Sequence, residues 1–475
     1  MVDRILFVEP PKDYWFVMGE YLPPPTTLLI LAAYVERELP EMEIRILDCQ
    51  AERKDWRDVE KFIESYSPAM VATSGFTCNT YACARASEHA KTVNPDNVTV
   101  VGGSHFSFIP EESLLAFPEI DYIVRGEGEK TLVELIRTLQ KEKKPTDVRG
   151  ISFRHNGRII HNPPRPLIKN LDTLPYPAYH LVEGNLKQYH FTMMAGKNVT
   201  YLNMEGARGC VHRCSFCTQW RHWGACWRTK SVKRIADEME HLHHDFGGQF
   251  IWFADDNFDY RRRGKALWQE LKQRKFTDDI MLFFQARIDD VAANPDIVSK
   301  LRDVGNYWVM MGVEHNSQAQ LEEFNKGVNT SDAYKAVKIL YNNDIFSHTM
   351  FVIGARKDTA GSIEAVRRFS MDIGSDFSIY TALTPFPGTE YHDIAKKNGW
   401  IEDHNYANYD MAHAVMPTET LSKKEVQEEL YRCYKERYGS ITENIAGVFA
   451  KNRLKRNLYR HYAKQHVITK LRRLI

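Results

Sequence analysis

Two hydrophobic periods alternate along the first third of the chain. Short, nearly continuous apolar runs lie at 5–8, 43–47, 70–73, 98–101 and 122–124, and between them apolar residues recur every three to four positions at 27–39, 56–65, 81–93 and 129–139. A continuous apolar run suits a strand covered on both faces, and the interleaved amphipathic helices supply the covers. The pattern predicts an α/β domain over residues 1–145, doubly wound around a parallel sheet in the flavodoxin-like manner. Ligands of such sheets bind outside the carboxyl ends of the strands. Those ends fall at Glu9-Pro10-Pro11, Ser74-Gly75-Phe76-Thr77, Gly102-Gly103-Ser104-His105 and Arg125-Gly126-Glu127-Gly128-Glu129. Their glycines allow a planar ligand close to the backbone, or serve as ordinary turn residues.

Residues 146–195 read as a hairpin turning at Asn156-Gly157, followed by a proline-dense linker, Pro163-Pro164-Arg165-Pro166 to Pro175-Tyr176-Pro177, that neither helix nor sheet accommodates. A second series of strands is predicted from Val199 and at 250–253, 281–285, 308–312, 349–353 and 377–383, separated by helical patterns at 232–245, 264–275, 295–304, 331–342 and 362–373. Six such units predict a partial (β/α)6 barrel of the TIM type over residues 196–400, with functional groups at the carboxyl strand ends. Those positions carry Asp255-Asp256-Asn257, Arg287, Gly312-Val313-Glu314-His315, Gly354 and Pro385-Phe386-Pro387-Gly388-Thr389. Residues 401–475 are expected to be helical, with a helix at 423–438 and a basic tail.

The chemistry concentrates at Cys210-Val211-His212-Arg213-Cys214-Ser215-Phe216-Cys217, directly after the first barrel strand. Three thiolates on one short loop reach three irons of a single 4Fe-4S cluster and leave the fourth iron open. A zinc site, which wants four ligands, or three unrelated core cysteines are the other readings.

This stretch resembles the signature of the radical S-adenosylmethionine (SAM) enzymes. The wider context, through Thr218-Gln219-Trp220-Arg221-His222-Trp223, is similar to the branch holding the anaerobic magnesium-protoporphyrin ester cyclase and the hopanoid C-3 methylase. The resemblance implies that Cys210, Cys214 and Cys217 ligate the cluster, that its open iron chelates SAM, and that Phe216 lies near the adenine. It further implies a 5′-deoxyadenosyl radical and an electron donor of the flavodoxin or ferredoxin type. By matching strand-end positions, Asp255, Asp256, Arg287 and Glu314 become expected SAM contacts, with structural ion pairs or helix caps as the alternative. Gly354 and Pro385 become adenine-side backbone contacts. The N-terminal domain resembles the cobalamin-binding domain of the B12-dependent radical SAM class, so Ser74, Thr77, Gly102, Gly103, His105, Gly126 and Glu127 are expected around cobalamin. No DxHxxG motif is present, which implies that no protein histidine sits on cobalt.

The implied activity is C-methylation of an unactivated carbon in a large apolar, lipid, tetrapyrrole or protein-borne substrate through methylcobalamin. Oxidative cyclisation without methyl transfer is the alternative, and a non-catalytic cobalamin or iron-sulfur sensor the second. Composition adds little: with 43% hydrophobic residues, 26% charged residues and net charge +1 it is that of an ordinary globular chain, with no global pull toward nucleic acid. No secretory signal is apparent and the longest apolar stretch, 27–35, is too short for a bilayer, so a cytoplasmic protein is expected. From Lys451 onward there are nine Lys and Arg and no acid, interleaved with Leu454, Leu458, Tyr462, Ile468, Leu471 and Leu474. That is the pattern either of a helix resting peripherally on an anionic membrane or of a solvated face packed on the barrel.

Overall fold

A computed structural model describes residues 2–11, 21–191, 199–439 and 441–472, without side-chain detail at 441–444, 462 and 465–472. Strands β1 (Arg4–Glu9), β2 (Glu43–Asp48), β3 (Met70–Ser74), β4 (Val98–Gly102) and β5 (Tyr122–Val124) pair in parallel in the order β2-β1-β3-β4-β5. This is the doubly wound order with a switch point between β1 and β3. Their central residues are sealed on both faces by helices Thr26–Glu38, Trp56–Tyr66, Thr80–Val93 and Gly128–Gln140. The predicted hairpin forms as β6 (Ile151–His155) and β7 (Arg158–His161), but it does not stand between the domains. β6 pairs antiparallel with β5 and extends the first sheet to seven strands.

The second sheet starts with β8 (Tyr201–Met204), followed by the short antiparallel pair β9 (Ala207–Arg208) and β10 (Arg228–Thr229), which closes the base of the cysteine loop. It continues through β11 (Phe250–Phe253), β12 (Met281–Arg287), β13 (Asn306–Glu314), β14 (Phe346–Ile353) and β15 (Phe377–Ala382). The order β15-β14-β13-β12-β11-β8 is parallel throughout, the open six-stranded barrel that the sequence pattern predicts. On its inner face Trp252 stacks on Phe283 with ring centroids 5.3 Å apart, and Phe283 on Trp308 at 4.1 Å. Gln285, Met310 and Met350 follow on the same face.

After the barrel, the helix Lys423–Tyr438 opens with a capping box between Ser422 and Glu425. Tyr434 and Tyr438 on this helix donate to the Tyr380 and Ser378 carbonyls of β15. The tail forms helices Ile441–Val448 and Arg453–Arg472. Leu454, Leu458 and Tyr459 are buried in the barrel core, and Asn452 and Lys455 bond Asp344 and Asp376, which precede β14 and β15. The first part of the tail is therefore packed at the amino-terminal end of the barrel. Tyr462, Ile468, Leu471 and Leu474 lie outside the described side chains. Among the described residues no helix is long and apolar enough to cross a membrane.

Candidate functional site

The cysteine loop is an excursion of residues 209–227 whose ends are tied by β9 and β10. Gly209, at φ +87°, must be glycine: a Cβ there would fall on the Cys226 carbonyl and 2.9 Å from the Trp223 Cβ. Asp255 and Asp256, following β11, hold this entry from beneath. Asp255 Oδ1 accepts from the Gly206 and Ala207 N–H groups at 2.6 and 2.9 Å, and its other oxygen takes Arg263. Both oxygens hold partners and the side chain is fully buried, so Asp255, which the strand-end pattern places among the SAM contacts, anchors the entry of the loop. Asp256 accepts from Gly209 N at 3.0 Å, and burial pushes its carboxyl up to about 7.

Cys210, Cys214 and Cys217 are free thiols that sense one another: burial first, then the neighbouring sulfurs, raise Cys217 to about 12. The His212 and Gln219 N–H groups donate to the Cys210 and Cys217 sulfurs. Among the described residues no three Cys, His, Asp or Glu side chains converge on a single-ion position. Three neighbouring thiols on one loop are the donor set that a cluster with one open iron takes. Cys226 takes no part, since its thiol donates to the Trp223 carbonyl at 2.9 Å.

The far side of the loop is clasped by residues 323–327. Ser215 N donates to Phe324 O at 2.9 Å, and Asn325 Nδ2 to Arg213 O at 2.8 Å. Between this segment and β13 lies a residue that strand-end reasoning missed. Lys326, 8% exposed, donates to Glu314 Oε1 at 2.6 Å. Burial pulls the ammonium down, but Glu314 and Cys214 outweigh it and the net shift is upward. Glu314 itself sits at φ +66° beside a register shift of β13, a strained strand end of the kind found at functional positions. Gly312 leaves the space that the pair occupies. Arg287 closes the same corner, held by Asp289 at 2.9 Å and the Lys326 carbonyl at 2.8 Å. Phe216 packs edge-on against Phe324 with centroids 5.1 Å apart, in an apolar patch with Val352, Leu383 and Met416. Gly354 follows β14 against Val426, and Pro385 is buried in the turn after β15.

At the carboxyl edge of the first sheet the loops bearing Ser74, Thr77, Gly102, Gly103 and Gly126 lie side by side: Gly75 N donates to Gly102 O at 3.0 Å, and Gly126 N to Ser107 Oγ at 3.0 Å. His105 is buried among them. It lies on a short helix, Ser104–Phe108, 1% exposed, with Nδ1 3.3 Å from Thr77 Oγ1 and the Tyr406 ring edge-on at 4.7 Å, and burial lowers it to about 3. Glu127 departs further from the cofactor role. Its Oε1 accepts from both Arg208 and Arg228 at 2.8 Å, and its Oε2 from Ile168 N at 2.6 Å. The Arg125–Glu129 loop thus turns its carboxylates toward the barrel, because two buried guanidinium groups there need partners.

The B12 binding domain family matches residues 19–136, and the Radical SAM superfamily matches residues 204–370. An uncharacterized methyltransferase of Pyrococcus horikoshii is 30% identical over 435 residues, spanning 91% of this chain and 92% of that protein. The anaerobic magnesium-protoporphyrin IX monomethyl ester cyclase of Rubrivivax gelatinosus is 27% identical over 443 residues, 91% of this chain and 77% of its own. The hopanoid C-3 methylase of Methylococcus capsulatus is 26% identical over 381 residues, 79% and 69%. Among solved structures, the cobalamin-dependent SAM radical enzyme OxsB with aqua-cobalamin and SAM superposes with a TM-score of 0.75 at 18% identity, over 98% of this chain and 71% of that one. The chain belongs to the B12-binding radical SAM family.

Proposed function

We propose that the chain is a cobalamin-dependent radical SAM C-methyltransferase acting on an unactivated carbon of a large apolar or protein-borne substrate. The observation that carries this reading is the position of one loop: Cys214 lies beside the Glu314–Lys326 pair on one side, and the base of the same loop is bonded to the cobalamin-type domain on the other. When bound, the cluster supplies the electron that cleaves SAM and the corrin carries the transferred methyl group. The chain's own residues hold the reactants. Lys326 and Glu314 match the carboxylate and ammonium of SAM in sign, Arg287 adds a second cation, and the Phe216 patch suits the adenine. Gln285 and Met310, two residues before Arg287 and Gly312 on the same sheet face, continue this corner into the aromatic inner surface of the barrel.

Two partner assignments belong to the same proposal. A flavodoxin or ferredoxin type donor reduces the cluster. The exposed Phe449 and Tyr341, beside the exposed Lys451 and Arg453 of the tail, form a peripheral contact for an anionic membrane.

The test uses trideuteromethyl SAM with lipid extract, tetrapyrrole esters and cell protein offered separately. Methyl transfer yields 5′-deoxyadenosine and S-adenosylhomocysteine in roughly equal amounts, with label in product. 5′-Deoxyadenosine without stoichiometric S-adenosylhomocysteine, and a new ring in an unlabelled product, moves the assignment to the cyclase reaction of the relatives named above. No 5′-deoxyadenosine from reduced, reconstituted protein removes both.

A further inference from the structure

β9 and β10 place Arg208 directly opposite Arg228 at the base of the cysteine loop. Like charges directly opposed across two strands are destabilising, and these side chains are 4% and 11% exposed, so water does not screen them. Both guanidinium groups converge on one oxygen, Glu127 Oε1, at 2.8 Å each. Arg208 is completed by Glu129 at 2.6 Å and Glu205 at 2.7 Å, and the two cations flank the Trp223 ring at 5.6 and 5.7 Å. Glu205 belongs to the barrel, but Glu127 and Glu129 come from the first domain. The loop carrying all three cysteines therefore has a base whose charges are neutralised only when the two domains are docked.

A short chain of bonds leads from that base to the loop that follows β4. Ser107 Oγ donates to the Gly103 carbonyl at 2.7 Å and accepts from Gly126 N at 3.0 Å, and Glu127 is the next residue. We infer that Glu127 is a positioning residue that couples ligand binding at the carboxyl strand ends of the first domain to the order of the cysteine loop, by neutralising Arg208 and Arg228. This rests on the cobalamin reading of those strand ends. By linkage, whatever orders the loop from the barrel side strengthens binding in the first domain by the same factor.

Amide hydrogen exchange on the full chain tests it, with hydroxocobalamin as the probe. In the cofactor-free chain, Glu127→Gln is expected to speed exchange at 207–209 and 228–229 by on the order of 100-fold, the opening expected when a buried ion pair loses one member. Glu127→Asp should recover part of the protection. In wild type, hydroxocobalamin slows exchange over 102–107 and over the loop base, whereas in Glu127→Gln the protection stops at the first domain. Equal protection of the loop base in both chains overturns the coupling. Where Glu127→Gln gives no folded chain, Arg228→Lys should show the same change at roughly a tenth of the size, and exchange identical to wild type overturns the inference. Unchanged exchange at the base in a variant that binds cobalamin sinks the clasp alone. A wild-type chain that binds no cobalamin sinks the cofactor reading and the transmitted effect with it.

Discussion

The ring of Phe108, on the helix after β4, occupies the place where a side chain on Gly388 would stand. Gly388 is the last residue of the Pro385-Phe386-Pro387-Gly388 turn, has φ +89°, and its carbonyl accepts from Arg221 at 3.1 Å. The turn is thus a seat for the first domain. Gly388→Ala should destabilise the chain by about 2–4 kcal/mol, combining overpacking with left-handed strain. Adding Phe108→Ala should remove the steric part and leave about 1–2 kcal/mol of backbone strain relative to Phe108→Ala alone. A double-mutant cycle by urea denaturation measures the difference, and a coupling near zero would show that the two residues do not meet.

Iron content separates ligands from bystanders. Cys214→Ala should abolish the cluster's absorbance and SAM cleavage. Cys226→Ala, which removes only a thiol bonded to the Trp223 carbonyl, should retain about four irons per chain. Iron retained in the first variant, or lost in the second, contradicts the assignment.

Asp255 and Lys326 should fail differently, although both are buried in ion pairs beside the same loop. Asp255→Asn leaves Arg263 without its counter-charge and should lower stability by about 3–5 kcal/mol. Lys326→Met should raise the dissociation constant of SAM at least ~10-fold, a loss of binding that Asp255→Asn in its folded fraction should not show. Calorimetric titration of SAM into reconstituted protein, beside a urea melt of each variant, distinguishes the two roles.

Asp48, 1% exposed at the end of β2, carries a pH-dependent part of the stability. Burial raises its carboxyl from 3.8 to about 6, despite donation from Tyr189 at 2.9 Å and from the Gln50 and Ala51 N–H groups. The folded state holds the proton more tightly than the unfolded chain does. This contribution is therefore fully present below pH 4 and is lost as pH rises through about 6, by at most ~3 kcal/mol. Asp48→Asn keeps the shape and should flatten the stability curve between pH 4 and 6 relative to wild type. Chemical denaturation at several pH values checks it; parallel curves would mean that Asp48 ionises normally. Glu9 is raised to about 8 by burial and by Asp48, so Asp48→Asn also lowers Glu9 and the difference between the two curves reports the coupled pair.

Much of this architecture is local. The strand Phe250–Phe253 and the helix Lys423–Tyr438 are readable because an apolar run and a Ser-x-x-Glu cap are each contained in a few neighbouring residues. The helix Ser104–Phe108 is too short for a period to show, so His105 reads as a loop residue. Glu127 looks like a cofactor residue because it sits among glycines at a strand end, yet its partners are 81 and 101 residues away and no spacing announces them. Asp255 misleads in the same way: the polar strand end is real, but the acceptor serves backbone N–H groups of the preceding turn. Lys326 was accessible in principle, as a cation flanked by Phe324 and Val328 in a segment that otherwise reads as core. Its partner, twelve residues earlier on β13, emerges only once the strand end bends back.

The tail helices sit at the amino-terminal end of the barrel, under Asp344 and Asp376, while the cysteines stand at the opposite end of the strands. Anything that grips the exposed Lys451 and Arg453 consequently meets the molecule as a base meets a lamp, at the end remote from its cysteines. A grip of that kind leaves the carboxyl ends of the strands clear for whatever reacts there.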